Sequence, residues 1–250
     1  MNRWNALSLV VLSLCAHELS AQPVVEAYDR FEMNWSNMRL RYFGESGAAK
    51  NLDVAEKEAT DQGLLYALAN IPKIRGEKGV SVENAENIAH AVSKQSYVFN
   101  TIYFSNGKVR VELDGSLALA LDPGRKPYVK SSEGEAEAAA DSETGSGVVI
   151  QVKGAKGPQL IGEIHDSGGD LVYSSQDVSP DAYRKNLIGR WFYKNSSELK
   201  SFAGGKPLTV EAEYRDGKLV VDKEAWAQVK KFTPKLLNEG RVAFVLPAVR

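Results

Sequence analysis

The sequence predicts an α+β protein of two small domains, each with helices packed on a mainly antiparallel sheet. Three observations support this fold class. Strand-like and helix-like segments occur together in both halves, Asn-Gly and Asp-Gly turns mark one hairpin in each half, and an acidic segment without large aliphatics separates the halves. The predicted organisation is a signal peptide over residues 1–21, a first domain over 22–122, a linker over 123–147 and a second domain over 148–250.

The N-terminal segment is typical of an export signal. Arg3 is followed by an apolar run over residues 6–15 and by a polar stretch that ends at Ala21. The apolar run is too short to cross a bilayer. Cleavage between Ala21 and Gln22 would release the chain into the periplasm.

A second interpretation of this segment makes Cys15 a lipidation site. A leucine stands three residues before Cys15, as in lipoprotein signals, and processing there would anchor the chain at the outer membrane. Leu14 occupies the position where such sites need a small residue, so cleavage after Ala21 is the preferred interpretation.

The composition restricts the classes of function. The formal net charge is -1, which argues against nucleic-acid binding because a phosphate backbone requires a basic face. Cys15 is the only cysteine, so the exported chain has no disulfide. No segment after residue 21 is long and apolar enough to form a transmembrane helix.

The first domain is predicted to begin with a strand over Met38 to Phe43 that Gly44 ends. A helix then starts with a capping box formed by Asp53 and Glu56, and Pro72 stops it. A second helix covers residues 82–94. The apolar or small positions predicted to be buried are, in the first helix, Leu52, Ala55, Ala59, Gly63, Tyr66, Ala67 and Ile71, and in the second, Ala85, Ile88, Ala89 and Val92.

A hairpin closes the first domain in this prediction. Strands over residues 97–104 and 108–121 flank Asn106-Gly107, which favours a type I′ turn. Val109, Val111 and Leu113 alternate with charged residues, so one face of this sheet should pack under the helices. The other face should meet solvent or a partner. The strand edges of this hairpin and of a second one over residues 208–221 either pair with a neighbour or are capped within each domain. The domain order is therefore β-α-α-β-β.

The second domain is predicted from short strands bounded by turns. The strands cover residues 148–152, 159–164, 171–174, 208–214, 218–221 and 242–246, with turns at 166–169 and 215–217. One helix over 180–192 has Ser179 as its N-cap. Another over 223–238 should be interrupted at Pro234.

No catalytic, cofactor-binding or metal-binding residues are predicted. After residue 21 the only histidines are His90 and His165, in different domains, and no cysteine cluster or calcium loop accompanies His165-Asp166. Ser146 lies between two glycines without a histidine nearby, and Ser197 with Lys200 lacks the companion motifs of a nucleophilic serine. Gly204-Gly205-Lys206 is followed by proline, so it is no phosphate loop.

Aromatic residues suggest an alternative binding function. Trp191, Phe192 and Tyr193 form a cluster, with Trp35 and Trp226 as further candidates for a platform on which cell-wall glycan could stack. The competing interpretation is that they are core residues. A third hypothesis, a hydrolase, requires carboxylates such as those of Glu163 and Asp166 to converge in a cleft.

Several short motifs together resemble the Lpp-twenty family of exported bacterial proteins, which includes a flagellar basal-disc lipoprotein. They are Asn34-Trp35-Ser36, the alanine-rich helix that ends near residue 75, the stretch Gly79 to Asn84, Gly147 to Ile150, Gly157 to Leu160, Asp170 to Tyr173 and Gly240 to Val245. The resemblance implies a non-enzymatic envelope or flagellum-associated assembly protein. Its partners would be envelope or flagellar proteins or further copies of the chain, and it transfers no catalytic residue.

Overall fold

The computed structural model describes residues 22–74, 92, 95–121, 145–216 and 218–247. Within these ranges it has helices and two sheets, which confirms the α+β class. The predicted signal peptide, including Cys15 and Ala21, lies outside the described residues. The linker, except for residues 145–147, and the second predicted helix, except for Val92, also lie outside the described residues. Val92 is helical and buried.

The first sheet has five antiparallel strands in the order β1-β2-β3-β5-β4. Their bounds are β1 Val25–Ala27, β2 Phe31–Asn34, β3 Arg39–Glu45, β4 Tyr97–Tyr103 and β5 Val109–Ser116. The predicted alternation is confirmed, since Val109, Val111 and Leu113 are buried on one face. Strands β1 and β2 were not predicted, because each has only three or four residues.

One long helix, α1 (Leu52–Ile74), packs against β3 and β5 on the buried face. Ala55, Ala59 and Ala67 are buried as predicted, whereas Leu52 is 51% exposed. The side chain of Ile71 falls outside the described part. The predicted capping box is wrong: the side chain of Asn51 accepts hydrogen bonds from the backbone N–H groups of Asp53 (2.9 Å) and Val54 (3.4 Å).

Two predicted boundaries of this layer are also wrong. The helix continues through Pro72 to residue 74, so the missing backbone N–H of this proline does not end it. Gly44 lies inside β3. A Cβ there would stand 1.9 Å from the carbonyl oxygen of Ala59 and 2.3 Å from the nitrogen of Gly63, so Gly44 permits close packing of strand and helix.

The first hairpin is confirmed, but its turn differs from the predicted type. The N–H of Phe104 donates to the carbonyl of Lys108 (2.9 Å), and Gly107 alone in the turn has positive φ (+79°). A type I′ turn needs two such residues, so this is a three-residue loop with glycine in the left-handed region. Residues 117–121, predicted as strand, form the short helix α2 (Leu117–Leu121), whose buried leucines and alanines leave no alternating face.

The second sheet has seven strands in the order β8-β7-β11-β10-β6-β12-β9. Their bounds are β6 Val148–Lys153, β7 Glu163–Asp166, β8 Leu171–Ser174, β9 Arg190–Tyr193, β10 Leu208–Arg215, β11 Lys218–Val221 and β12 Val242–Leu246. Four of its six pairings are parallel and two are antiparallel. The prediction of a mainly antiparallel sheet is therefore wrong here. Strands β6 and β12 are apolar on both faces, which is typical of buried parallel strands.

The helices of the second half are α3 Pro180–Asn186, α4 Ser197–Ala203, α5 Lys223–Phe232 and α6 Pro234–Asn238, with a 3₁₀ turn over Ser175–Asp177. The N-cap at Ser179 and the interruption at Pro234 are confirmed. The helix predicted to reach Phe192 ends at Asn186. Leu187 has a φ of +54°, which is incompatible with a helix, and the chain continues into β9. Residues 159–162 precede β7 and are not strand.

The two sheets share one continuous cluster of buried apolar side chains. The turn after β2 joins them directly: the hydroxyl of Ser36 donates to the carbonyl of Trp191 (2.8 Å), and the N–H of Trp191 donates to the carbonyl of Trp35 (3.2 Å). Because β9 is an edge strand, this turn occupies part of its otherwise unpaired edge.

Candidate interaction surface

The open face of the first sheet carries arginines beside aromatic rings. The guanidinium of Arg39 lies 5.4 Å from the ring centre of Tyr97, that of Arg41 lies 5.0 Å from Phe99, and that of Arg110 lies 4.4 Å from Phe43. These distances are within the range of cation–π contacts. Arg39 and Arg41 lie on β3, whereas Tyr97 and Phe99 lie on β4. Both contacts pass over β5, so they depend on the strand order β3-β5-β4.

Carboxylates on the same face form ion pairs with these arginines. Asp114 on β5 is buried, and its Oδ1 lies 2.6 Å from Nε of Arg39, while its Oδ2 lies 3.4 Å from Nε of Arg41. On the same face, Nε of Arg110 donates to Glu45 (2.8 Å). The face therefore presents aromatic and aliphatic surface with paired charge, which suits a protein partner better than a polyanion.

A shallow groove of about 250 Å³ lies at the β2 end of this face. Its walls include a stacked ring pair, Tyr28 and Phe31, whose centroids are 4.4 Å apart. Other lining residues are Ala27, Asp29, Arg30, Glu32, Arg41, Tyr42, Phe43, Phe99 and Glu112. The lining contains no histidine, serine or cysteine, so it offers no imidazole base, serine hydroxyl or thiol.

Strand β4 forms one edge of this sheet and is unusually apolar for an edge strand. Five of the ten large apolar side chains that are exposed among the described residues lie between residues 97 and 104: Tyr97, Val98, Phe99, Tyr103 and Phe104. The chain from Gln95 to Gly107 contains no charged residue. Edge strands usually carry charges that prevent pairing with another chain.

The neighbouring helix holds β4 at one point on the buried face. The hydroxyl of Tyr103 donates to a carboxylate oxygen of Glu56 on α1 (2.5 Å). This hydrogen bond raises the pKa of Tyr103 above its ordinary value of 10.0.

The tryptophans proposed for glycan stacking are core residues. Trp35, Trp191 and Trp226 are at most 2% exposed. Their ring N–H groups donate to Glu26 (2.9 Å), the carbonyl of Gln159 (2.7 Å) and the carbonyl of Val172 (3.1 Å), respectively. Phe192 is also buried, and Tyr193 is half-buried. The predicted platform is therefore not formed.

The carboxylates considered for a hydrolase do not converge. Glu163 is exposed and contacts Nε2 of His165 (3.1 Å) on one face of β7, whereas Asp166 is buried on the other. Oδ1 of Asp166 accepts hydrogen bonds from the N–H groups of Gly168 and Asp170, both at 2.9 Å, and shapes the turn. Over the ranges that the structure describes, no group of His, Cys, Asp or Glu side chains could hold a metal ion.

The serines considered as nucleophiles either have a structural role or lie on the surface. The hydroxyl of Ser146 donates to the carbonyl of Ala203 (2.8 Å) and accepts from the N–H of Lys206 (2.9 Å), which fixes the entry to β6. Ser197 and Lys200 are exposed on α4. His90 lies outside the described residues. In the described part of the chain, no helix is long and apolar enough to cross a membrane.

The sequence predicted two places for a partner: the open sheet face and the strand edges of the hairpins over 96–121 and 208–221. It did not single out β4 among these edges. The uncharged run over residues 95–107 is the signal that was available. The arginine–aromatic contacts could not be predicted in the same way, since they depend on the strand order.

Comparison with known proteins bears on the second half only. The family model of the second domain of the Treponema pallidum protein Tp0624 matches residues 147–248. This range contains β6 to β12, all seven strands of the second sheet, and is consistent with a two-domain architecture. Among curated proteins, none matches this chain.

Proposed function

We propose that the chain is an exported, non-enzymatic interaction protein of the cell envelope. The observation that carries this proposal is the concentration of exposed apolar side chains on the uncharged edge strand β4. A surface of this kind is costly in water and prone to pairing, so it is expected where a partner covers it. The N-terminal segment supports export to the periplasm, with anchoring through Cys15 as the alternative.

The partner class follows from the resemblance to the Lpp-twenty family. Flagellar or flagellar-sheath proteins are the proposed context, and motility is the proposed phenotype. The Tp0624 model carries no stated activity in its description, so it supports the domain division and not the partner.

Gene deletion tests this proposal. We expect a strain without the protein to lose motility, and we expect the protein to co-purify with flagella or with another envelope assembly in the parent strain. Complementation with the intact gene is the matched control. Normal motility together with absence from purified flagella and envelope fractions would refute the proposal.

The glycan-binding alternative has lost four of the five aromatic residues that motivated it, since Trp35, Trp191, Phe192 and Trp226 are buried. Retention on purified peptidoglycan, with bovine serum albumin as a negative control, distinguishes the two functions. A pure protein-interaction role predicts no retention.

A further inference from the structure

Backbone geometry shows which groups of β4 are available for pairing. Because the N–H of Phe104 donates to the carbonyl of Lys108, these residues form a hydrogen-bonded pair. Antiparallel partners alternate between hydrogen-bonded and non-hydrogen-bonded pairs. Thr101 opposite Val111 and Tyr103 opposite Val109 are therefore non-hydrogen-bonded pairs. The backbone N–H and C=O groups of Thr101 and Tyr103 point away from β5, out of the sheet.

A bulge limits the length of edge that can pair. The register with β5 shifts between Val98 and Asn100, so Phe99 is the extra residue and the alternation of faces breaks there. Regular alternation runs from Asn100 through Phe104. Any strand that pairs with this edge therefore finds five residues in regular register.

We infer that the occupant of this edge is β4 of a second copy, paired antiparallel about a two-fold axis beside Ile102. In this register Thr101 lies opposite Tyr103 of the second copy, and the outward groups of both residues form hydrogen-bonded pairs on each side of the axis. The side chains on the open face pair as Ile102 with Ile102 and Asn100 with Phe104. Each residue meets one on the same face, as antiparallel pairing requires.

Charge and symmetry favour a second copy over another partner. In a two-fold pair every charge on the strand occurs twice within the same short contact, so a strand of one charge would repel its copy, whereas residues 95–107 carry no charge. The same five residues supply both halves of the register, as an isologous interface requires. One strand edge buries little surface, below about 1,200 Å² in total, so the dimer should dissociate on dilution.

This inference rests on the proposed function, because it names the partner of the same surface. Its test is sedimentation equilibrium of the full-length export product, purified from the periplasm, over a series of concentrations. We expect a reversible monomer–dimer equilibrium. Ile102→Lys places two like charges at the axis and should weaken the dimer at least tenfold. Val220→Lys, at a half-buried position of β11 in the second sheet, is the matched control and should leave it unchanged.

Thr101→Pro provides a second variant with a different physical basis. Proline removes an outward N–H without removing a hydrogen bond to β5, so the sheet should persist and the dimer should weaken. Far-ultraviolet circular dichroism checks folding of each variant. A monomer at every concentration, or a dimer that Ile102→Lys and Thr101→Pro both leave intact, would overturn the inference. If the protein is monomeric but is still needed for motility, the inference fails and the proposed function stands. If the protein dimerises but is absent from envelope and flagella, only the proposed function fails.

Discussion

At the residue scale, Asp114 is the carboxylate on which the open face depends. It is buried and lies between Arg39 and Arg41, so its removal leaves the partly buried guanidinium of Arg39 without its counter-charge. These contacts also hold the two arginines against Tyr97 and Phe99.

We expect Asp114→Asn to reduce the free energy of unfolding by about 1–3 kcal/mol, measured by urea denaturation. The arginine is about one-third exposed, so water limits the loss. Asp181→Asn is the control, because the pair of Asp181 with Arg184 is exposed and should contribute less than about 1 kcal/mol. Equal losses for the two variants would contradict this role of Asp114.

Asp166 gives the protein a specific sensitivity to acid. Burial alone would raise the pKa of Asp166, but hydrogen bonds from the N–H groups of Asp170 and Gly168, together with Lys223, outweigh it and hold the pKa below the ordinary value of 3.8. The Nζ of Lys223 lies 3.6 Å from Oδ2, too far for a hydrogen bond, so this contact is an ion pair only.

The sign of the pH effect follows from that lowered pKa. The stabilisation that ionised Asp166 contributes is complete above the pKa that Asp166 has in the unfolded state. It is lost as pH falls through the lower pKa that Asp166 has in the folded state. We expect the melting temperature of Asp166→Asn to be lower than that of the wild type at pH 7, and the gap to narrow below about pH 4. A gap that stays constant from pH 7 to pH 3 would contradict the assignment.

At the element scale, the contact of β3 with α1 is set by two glycines. Gly44 and Gly63 bring the backbones so close that a Cβ on either would contact the other element. The helical spacing predicts Gly63 in the buried stripe, whereas Gly44 was predicted to end the strand, because a single glycine does not reveal whether it ends a strand or lets a neighbouring element approach.

We expect Gly44→Ala to destabilise the protein by about 3 kcal/mol or more, because the added methyl meets backbone atoms that cannot move alone. Gly47→Ala is the matched control three residues on. Its Cβ would meet only side-chain oxygens of Glu58 at 3.8 Å and beyond, so its effect should lie within about 1 kcal/mol. Thermal unfolding of the two variants tests the difference, and similar melting temperatures would refute close packing.

Local sequence patterns predicted the helices and strands more reliably than they predicted how the strands pair. The alternation in β5, the interruption at Pro234 and the Asp-Gly hairpin between β10 and β11 are local features, and the structure confirms them. The parallel pairing of β6 with β10 and β12 joins residues far apart in sequence. Periodicity contains no information about such partners, although the doubly apolar β12 was a usable indication.

At the scale of the whole molecule, the two sheets are one packing unit in the described part of the chain. Ser36 joins them, since its hydroxyl accepts from the N–H of Val24 (2.9 Å) and donates to Trp191. Buried residues from both sheets belong to one cluster. The predicted division into two domains corresponds to the division into two sheets. The sequence did not predict that the two sheets share one core.

We therefore expect a single cooperative unfolding transition, with equal calorimetric and van't Hoff enthalpies. Ser36→Ala should leave two buried backbone groups without this partner and lower the stability by about 1–3 kcal/mol, while the transition stays single. Ser197→Ala, on the exposed surface of α4, serves as the control. Two separate transitions in the wild-type protein would contradict a shared core.

One cysteine variant tests in living cells whether the exported chain associates through β4. Two-fold pairing places Ile102 opposite its own equivalent in a non-hydrogen-bonded pair, with Cα atoms about 4.5 Å apart, which suits a disulfide. The only native cysteine, Cys15, is removed by cleavage after Ala21 or modified if it is lipidated. Export to an oxidising compartment should then link Ile102→Cys into a dimer on a non-reducing gel, while Asn100→Cys stays monomeric. A monomer for Ile102→Cys, or equal linking of both variants, would contradict association of the exported chain through β4.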